Sequence, residues 1–496
     1  MSRREPYLTK SRFMAGLQCD KRLWLSWHEP APYEEPEPGS TLDIGIEIGR
    51  KAQLLFPGGI LVDEPPWEHA TAVVHTRELM TNPNVPAIFE AAFEHRGVRI
   101  RVDVLERLPN RAWGLREVKM DTGPKDHHLD DVGVQLFVML GCGLDVDSAE
   151  LIHVNKAYVR GEGDIDWDAF FARVDLTDEA SDLLDGIAGQ VEFQHGILRE
   201  ENCPSVRPSR HCFSPHECEF WDRCTAAKPT EWIFHMPHLR RSAFNELSDA
   251  GVEDIRDIPD EFPLSDKQAL VRRVLLAGKE HVSRDLGEVV KELGPPAYYL
   301  DFETMNPAIP LYPGTSPYQM IPFQWSLHFL DGRDTLKHEG FLADGANDPR
   351  REFAETLIAA LREPEIPILV YSGFERRILD DLAGKLPDVE DDLLAIMGQL
   401  RDLLTVVRSH VYHPDFGGSF SLKNVAPALV PGFGYSDLEY VVDGNAASAT
   451  FALICAGKLG SDEDAQVLRR ALLEYCKRDT LAMVRVHEAL VRRARN

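Results

Sequence analysis

The chain has 496 residues, with 81 acidic against 54 basic side chains and a formal net charge of −27. Its 44% hydrophobic and 27% charged fractions exclude wholesale disorder and fibrous repeats, and no apolar run approaches the ~20 residues a bilayer crossing needs. The length suggests about three units, each able to bury its own core. The basic start, MSRREPYLTKSR, runs into no apolar core, so no secretory signal is read and a cytoplasmic location without membrane contact is expected. The net charge opposes a polyanionic partner, which needs a basic footprint, but the charge is uneven. Residues 96–125 hold eight bases and four acids, and residues 1–22 six and two, whereas residues 145–185 hold twelve acids and three bases. A narrow basic track with weak non-specific affinity and strong salt dependence follows.

In chain order, short apolar runs such as Arg99 to Leu108 and Leu151 to Val159 alternate with helical patterns, predicting an α/β domain over residues 1–228. A proline- and glutamate-rich loop spans Pro30 to Pro38. The run RIRVDVLER alternates as a strand and carries Asp103; the strand GLREVKM carries Glu117 and Lys119. Residues i and i+2 of a strand share a face, so Glu117 and Lys119 belong to one site. Two carboxylates and a lysine suit phosphodiester hydrolysis. Asp103 and Glu117, with the Val118 carbonyl, offer oxygen to a hard cation such as Mg²⁺, and Lys119 can steer or help deprotonate the attacking water. A solvated amphipathic hairpin is the plainer alternative. The helix DDVGVQLFVMLGCGL follows, bearing Gln135. Of eight cysteines, Cys203, Cys212, Cys218 and Cys224 crowd into one stretch, which in a reducing compartment points to metal or else to buried small apolar side chains.

Together with Cys19 in CDKRLWL, these features resemble the RecB-like branch of the PD-(D/E)XK nucleases, in particular the CRISPR-associated and helicase-nuclease members that carry an iron–sulfur cluster. The resemblance implies a restriction-endonuclease-like fold and a Mg²⁺ or Mn²⁺ site from Asp103, Glu117 and Lys119, with Gln135 on the next helix. It also implies a [4Fe–4S] cluster on Cys19, Cys212, Cys218 and Cys224, stapling the two ends of the domain and leaving Cys203 spare; zinc is the alternative. Two departures stand out: Met139 replaces the family's tyrosine four positions after the glutamine, and its upstream histidine has no match, Glu47 and Glu90 being the acids nearest in kind.

Residues 229–290 carry only helical signals. NELSDAGVEDIRDIP, with a glycine after one helix and a short turn into another, reads as a helix-hairpin-helix-like grip on phosphate through the amides at Gly251, or as a helical spacer. Gly294-Pro295-Pro296 then marks a boundary, and residues 291–496 form a second predicted α/β domain. YYLDFETMN places Asp301 and Glu303 on one strand face, PILVYSGFERRIL puts Glu375 where a strand meets a helix, and RDLLTVV reads as a strand beginning at Asp402. GSFSLKNVAPAL is predicted to be the next helix, and in LLEYCKRDTLAMVRVHEAL Tyr475 and Asp479 share a helix face. Clustered carboxylates raise one another's pKa; two divalent cations relieve this and join attacking water and leaving oxygen on one phosphate. Solvated carboxylates on a structural domain are the alternative.

The order Asp-x-Glu, Phe-Glu, Tyr-x-x-x-Asp resembles the DnaQ-like, or DEDD, 3′–5′ exonucleases of the RNase H-like fold, in the subtype that uses tyrosine. It implies that Asp301, Glu303, Glu375 and Asp479 hold Mg²⁺ or Mn²⁺ while Tyr475 orients or activates water. Ser372 stands where many members have Asn, and Glu375 where they have Asp. The whole chain resembles a bacterial family fusing the two nuclease types. A metal-dependent DNA nuclease preferring single strands or frayed ends is therefore expected. The alternatives are an RNA exonuclease, or a scaffold of weakened turnover serving a helicase or a repair or defence complex, which Ser372 and Met139 favour.

Overall fold

The computed structural model describes residues 5–30, 35–333, 335–361, 363, 365–457 and 461–495; residues 1–4 of the basic start and 31–34 of the proline-rich loop lie outside the described residues. The chain is a mixed α/β protein of two compact units. One comprises Met1–Ala227 with Ala308–Tyr318, the other Lys228–Pro307 with Gln319–Asn496. Among the described residues no helix is long and apolar enough to cross a membrane.

The first unit is built on a seven-stranded sheet. Its strands are β1 (Leu8–Thr9), β2 (Ile60–Leu61), β3 (Ala87–His95), β4 (Val98–Arg107), β5 (Trp113–Lys119), β6 (Val146–Val154) and β7 (Phe171–Asp175). Strands β2 to β7 lie side by side in chain order, and β1 pairs with β4. In β4 the side chains of Val98, Ile100, Val102 and Val104 are buried while those between them are partly exposed, the alternation that makes a strand half-buried. The apolar run predicted to reach Val159 stops at Val154, because Asn155 starts a turn closed by the Tyr158 amide; Val159 is exposed. The stretch Ala308–Tyr318 joins this unit through Arg160, whose Nη1 donates to the Pro310 and Leu311 carbonyls at 2.9 and 2.7 Å. Met139 is fully buried in the core, so its position serves packing.

The second unit holds β8 (His281–Val282), β9 (Ala297–Met305), β10 (Ile321–Leu330), β11 (Leu336–Leu342), β12 (Ile368–Val370), β13 (Leu400–Asp402) and β14 (Val411–Tyr412). Its main sheet has the spatial order β11-β10-β9-β12-β13. Strand β10 is antiparallel to both neighbours, whereas β9, β12 and β13 run parallel. The chain enters β9 past Gly294, where φ is 98° and a Cβ would lie 2.4 Å from the Pro296 carbonyl oxygen, so only glycine fits. The long helix Asp462–Ala494 is pinned across the sheet. Gln324 Nε2 donates to the Leu472 carbonyl at 2.8 Å, and Thr480 shares 2.8 Å hydrogen bonds with Ser326 and His328.

Two local expectations change. RDLLTVV is a helix, Leu403–His410: Asp402 ends β13 and caps that helix, accepting from the Leu404 and Thr405 amides. A short polar side chain on a helix's orphan amides outweighs the apolar run's strand-like texture. After the helix Arg241–Asp249 comes only a single 3₁₀ turn, Ile255–Asp257. The Gly251 and Val252 amides donate back to the Ser248 and Leu247 carbonyls, so they close a helix end and are not presented to phosphate.

Candidate functional site

The first carboxylate site forms where β4, β5 and the helix Asp126–Gly141 meet. Asp103, Glu117, Lys119 and Gln135 are brought together, and Lys10 and Asp131 join them. Lys119 Nζ donates to Glu117 Oε1 at 2.6 Å and to Asp131 Oδ2 at 2.5 Å. Lys10 Nζ donates to both Glu117 oxygens at 2.9 and 3.1 Å, and Gln135 Nε2 to Glu117 Oε2 at 2.7 Å. The Val118 amide donates to Asp103 Oδ2 at 2.7 Å. The pairs Phe89–Val104 and Ala91–Val102 leave Glu90 opposite Asp103, with φ at 55°. A positive φ in a non-glycine strand residue is stored strain of the kind found at functional sites. Glu47 lies on the helix Thr41–Ala52.

Charge balance decides the protonation of this site. Burial alone would raise the Glu117 carboxyl, but Lys10 and Lys119 outweigh it and hold the group below the usual range. Asp103 is pushed up to about 8 by burial and by the Glu117 charge. Burial disfavours the Lys119 ammonium, yet Glu117 and Asp131 overcome this and keep it protonated beyond the ordinary lysine range. Lys119 is thus held as a positive charge between two carboxylates. Asp131 was legible in principle, standing four residues before Gln135 on one helix face; Lys10, about a hundred residues from its partner, carried no local signal.

The second site assembles Asp301 and Glu303 of β9, Glu375 in the first turn of Phe374–Lys385, and Tyr475 and Asp479 of the long helix. Glu303 and Glu375 are buried, and Asp301 and Asp479 partly so. Ligand atoms of Asp301, Glu303 and Cys476 lie within 4.8 Å of one another, a spacing that suits a metal ion. Glu375 Oε2 and Asp479 Oδ1 are buried without a hydrogen-bond partner among the described residues. Burial raises every acid here; Asp301 and Glu303 are raised further by their neighbours, whereas the Tyr435 and Tyr475 hydroxyls and Lys423 partly offset the burial of Asp479. Glu303 is pushed up to about 8 by burial and by Asp479, Glu375 to about 8 by burial and by Asp402. Asp301 stands well above the usual range, from burial and then Asp479 and Glu303. Burial and the neighbouring carboxylates likewise keep the Tyr475 phenol protonated. Lys423 acts on Glu303 and Asp479 as a cation; its ammonium sits 5.1 Å from the Tyr475 ring centre and donates to the Val442 carbonyl. Ser372 Oγ accepts from the Phe374 amide at 3.0 Å, so it turns the chain into the helix that carries Glu375. Cys476 stands beside Tyr475 on the helix that carries the Tyr-x-x-x-Asp pair, whereas Lys423, in the first turn of Leu422–Leu429, has no local signal.

Cys19, Cys212, Cys218 and Cys224 line one small cavity of the first unit. The Cys218 amide donates to the Cys212 carbonyl at 2.8 Å, curling the loop, and Gln18 Nε2 ties the N-terminal helix to it through the His211 and His216 carbonyls, both at 2.8 Å. Burial raises the thiols of Cys19, Cys212 and Cys218. Cys203 instead packs against the hydrophobic core.

A family model described as a domain of unknown function (DUF2779) matches residues 298–421. That span contains Asp301, Glu303 and Glu375 and stops short of Tyr475 and Asp479. No curated protein matches the chain.

Proposed function

We propose that the chain is a metal-dependent nuclease whose second unit, an RNase H-like domain of DEDD type, removes nucleotides from the 3′ end of DNA. The observation that carries this is the set of four buried or half-buried carboxylates, Asp301 and Glu303 raised by their neighbours, with two buried oxygens that have no hydrogen-bond partner among the described residues. The sheet order supports it: counted from β9 the strands lie third, second, first, fourth, fifth with the second reversed, the arrangement an RNase H-like domain calls for. Asp301, Glu303, Glu375 and Asp479 would hold Mg²⁺ or Mn²⁺, which supply Lewis-acid charge at the attacked phosphate. The protonated Tyr475 hydroxyl would anchor the reacting water by hydrogen bonding. The Lys423 ammonium offsets part of the negative charge.

The first unit is proposed as a RecB-like PD-(D/E)XK domain, with Asp103 and Glu117 as cation ligands, Lys119 steering water and Gln135 and Asp131 setting their positions. A second reading, binding with weakened turnover, is favoured here by one observation: both Glu117 oxygens already accept from Lys10, Lys119 or Gln135. Four cysteines in one cavity fit a [4Fe–4S] cluster. Among the described residues no three of their sulfurs come within 4.8 Å of one another, whereas four thiolates on one zinc ion, at ~2.3 Å each, require about 3.8 Å.

The test is trimming of 5′-labelled single-stranded DNA with Mg²⁺ or Mn²⁺ by wild type, Lys119→Ala, Asp479→Ala and the double variant, with matched RNA as competitor. Shortening that survives Lys119→Ala and disappears with Asp479→Ala supports the reading; wild-type rates in both single variants refute it. RNA as the preferred substrate would reassign the polymer and leave the centre in place.

A further inference from the structure

A cavity of about 840 Å³ in the second unit is lined from separate parts of the chain. Pro237, His238 and Lys267 come from the segment that precedes β8, His281 and Tyr412 from the paired strands β8 and β14, and Tyr371, Arg408 and Phe420 from the chain after β12. In a chain of net charge −27, no acidic residue among the described residues lines it, while Lys267 and Arg408 supply two fixed positive charges and His238 and His281 two imidazoles. Three aromatic rings complete the wall. Phe420 carries the Arg408 guanidinium 5.8 Å from its ring centre and lies 5.8 Å from the Tyr412 ring, and Tyr371 donates its hydroxyl to the Phe420 carbonyl at 3.1 Å. Cations that track phosphate, interleaved with rings on which bases stack, are the composition of a single-strand binding groove, and the volume is in the range of ligand sites.

Its position ties it to the carboxylates. Strands β9 and β12 run parallel with Tyr299 opposite Leu369, so Tyr371 leaves β12 level with Asp301. The helix Leu403–His410 presents Arg408 to the cavity, and its cap, Asp402, acts electrostatically on Glu375. Tyr371 follows the carboxyl end of β12, and ligands of open α/β sheets bind beyond the carboxyl ends of parallel strands.

We infer that this cavity seats an unpaired stretch of the nucleic-acid strand whose 3′ end lies among Asp301, Glu303, Glu375 and Asp479, with phosphates on Lys267 and Arg408 and a base against Phe420. The inference rests on the nuclease reading for that end of the strand, but the cavity's binding does not depend on turnover. Lys267 and Arg408 are exposed, so reversing their charge leaves the core intact.

The experiment measures fluorescence anisotropy of a short 5′-fluorescein oligothymidylate with the full chain in EDTA, for wild type, Lys267→Glu/Arg408→Glu, Arg408→Lys and Phe420→Ala, each checked for an unchanged melting curve. The double variant is expected to bind about tenfold or more weakly and to lose about 1.4 from its log–log salt slope, two phosphate contacts on a single strand. Phe420→Ala is expected to lose about fivefold or more, and Arg408→Lys to stay near wild type. Wild-type affinity and salt slope in the double variant overturn the proposal, whatever the hydrolysis assay gives. Free thymidine 5′-monophosphate competing as well as the oligonucleotide also overturns it, because the ligand is then a nucleotide and not a strand. If the variants lose affinity while wild type cleaves nothing with Mg²⁺ or Mn²⁺, the groove stands and the nuclease reading falls.

Discussion

In the first unit Glu117 is held between Lys10 and Lys119, with Asp131 completing a lattice of opposite charges. In the second, Asp301, Glu303, Glu375 and Asp479 crowd together, and the Lys423 ammonium acts on Glu303 and Asp479. Both clusters put carboxylates at the ends and faces of strands beside a helix, and the sequence motifs make them look alike. Their charge balance separates them. The first sets two lysines, Lys10 and Lys119, against its acids, so a cation entering it must displace lysine contacts. The second carries repulsion that only protons or bound cations relieve. Resident counter-charge, more than the count of acids, therefore separates the two clusters.

Substitutions can break this contrast. The largest effect is expected from Asp479→Asn, which should slow nucleotide release at least ~10²-fold without lowering stability, since it removes repulsion; a lower melting temperature in EDTA would count against the contrast. Next, Cys19→Ser should abolish the brown colour and the absorption near ~400 nm that an iron–sulfur cluster gives. A colourless wild-type protein holding stoichiometric zinc would reverse that assignment.

Lys10→Met should destabilise the first unit by on the order of 2 kcal/mol, below the ~3–5 of a buried pair broken outright because Lys10 is partly exposed and Lys119 stays in place. Lys423→Met should cost less than about 1 kcal/mol in the absence of cation. Urea unfolding of each variant checks the pair, and equal costs would erase the distinction.

The smallest effect is a pH dependence. Glu303 and Glu375 have folded values of about 8 against an ordinary ~4.3, so the folded state binds more protons than the unfolded one between those limits. The stability they contribute is complete below the unfolded value and is lost as pH rises through about 8. In EDTA the second unit should melt on the order of 5 °C lower at pH 9 than at pH 6, with Mn²⁺ or Glu303→Gln reducing the drop. At the first site the shifts oppose one another: Asp103 is raised and Glu117 lowered. Its slope should be flatter. A melting temperature that rises with pH in EDTA would contradict the assignment of the raised values.

Much of this was legible in the sequence because strands and helices have fixed periods. The i, i+2 pair Glu117 and Lys119 and the i, i+4 pair Tyr475 and Asp479 follow from backbone geometry alone, and the structure brings each pair into its site. The parts that could not be read are those decided by long-range packing. Lys10 reaches Glu117 across the fold, Glu90 meets Asp103 through strand pairing, and Ala308–Tyr318 belongs to the first unit although it follows the boundary at Gly294. Asp402 differs for a local reason: its capping role is hidden behind an apolar run that suits strand or helix.

The most direct test of the central claim follows a 3′-labelled single strand in Mg²⁺ or Mn²⁺ and identifies the first labelled product. Labelled mononucleotide released by wild type and Lys119→Ala, and not by Asp301→Asn, is the predicted result; release that persists in Asp301→Asn, or no release from wild type with either cation, would contradict it.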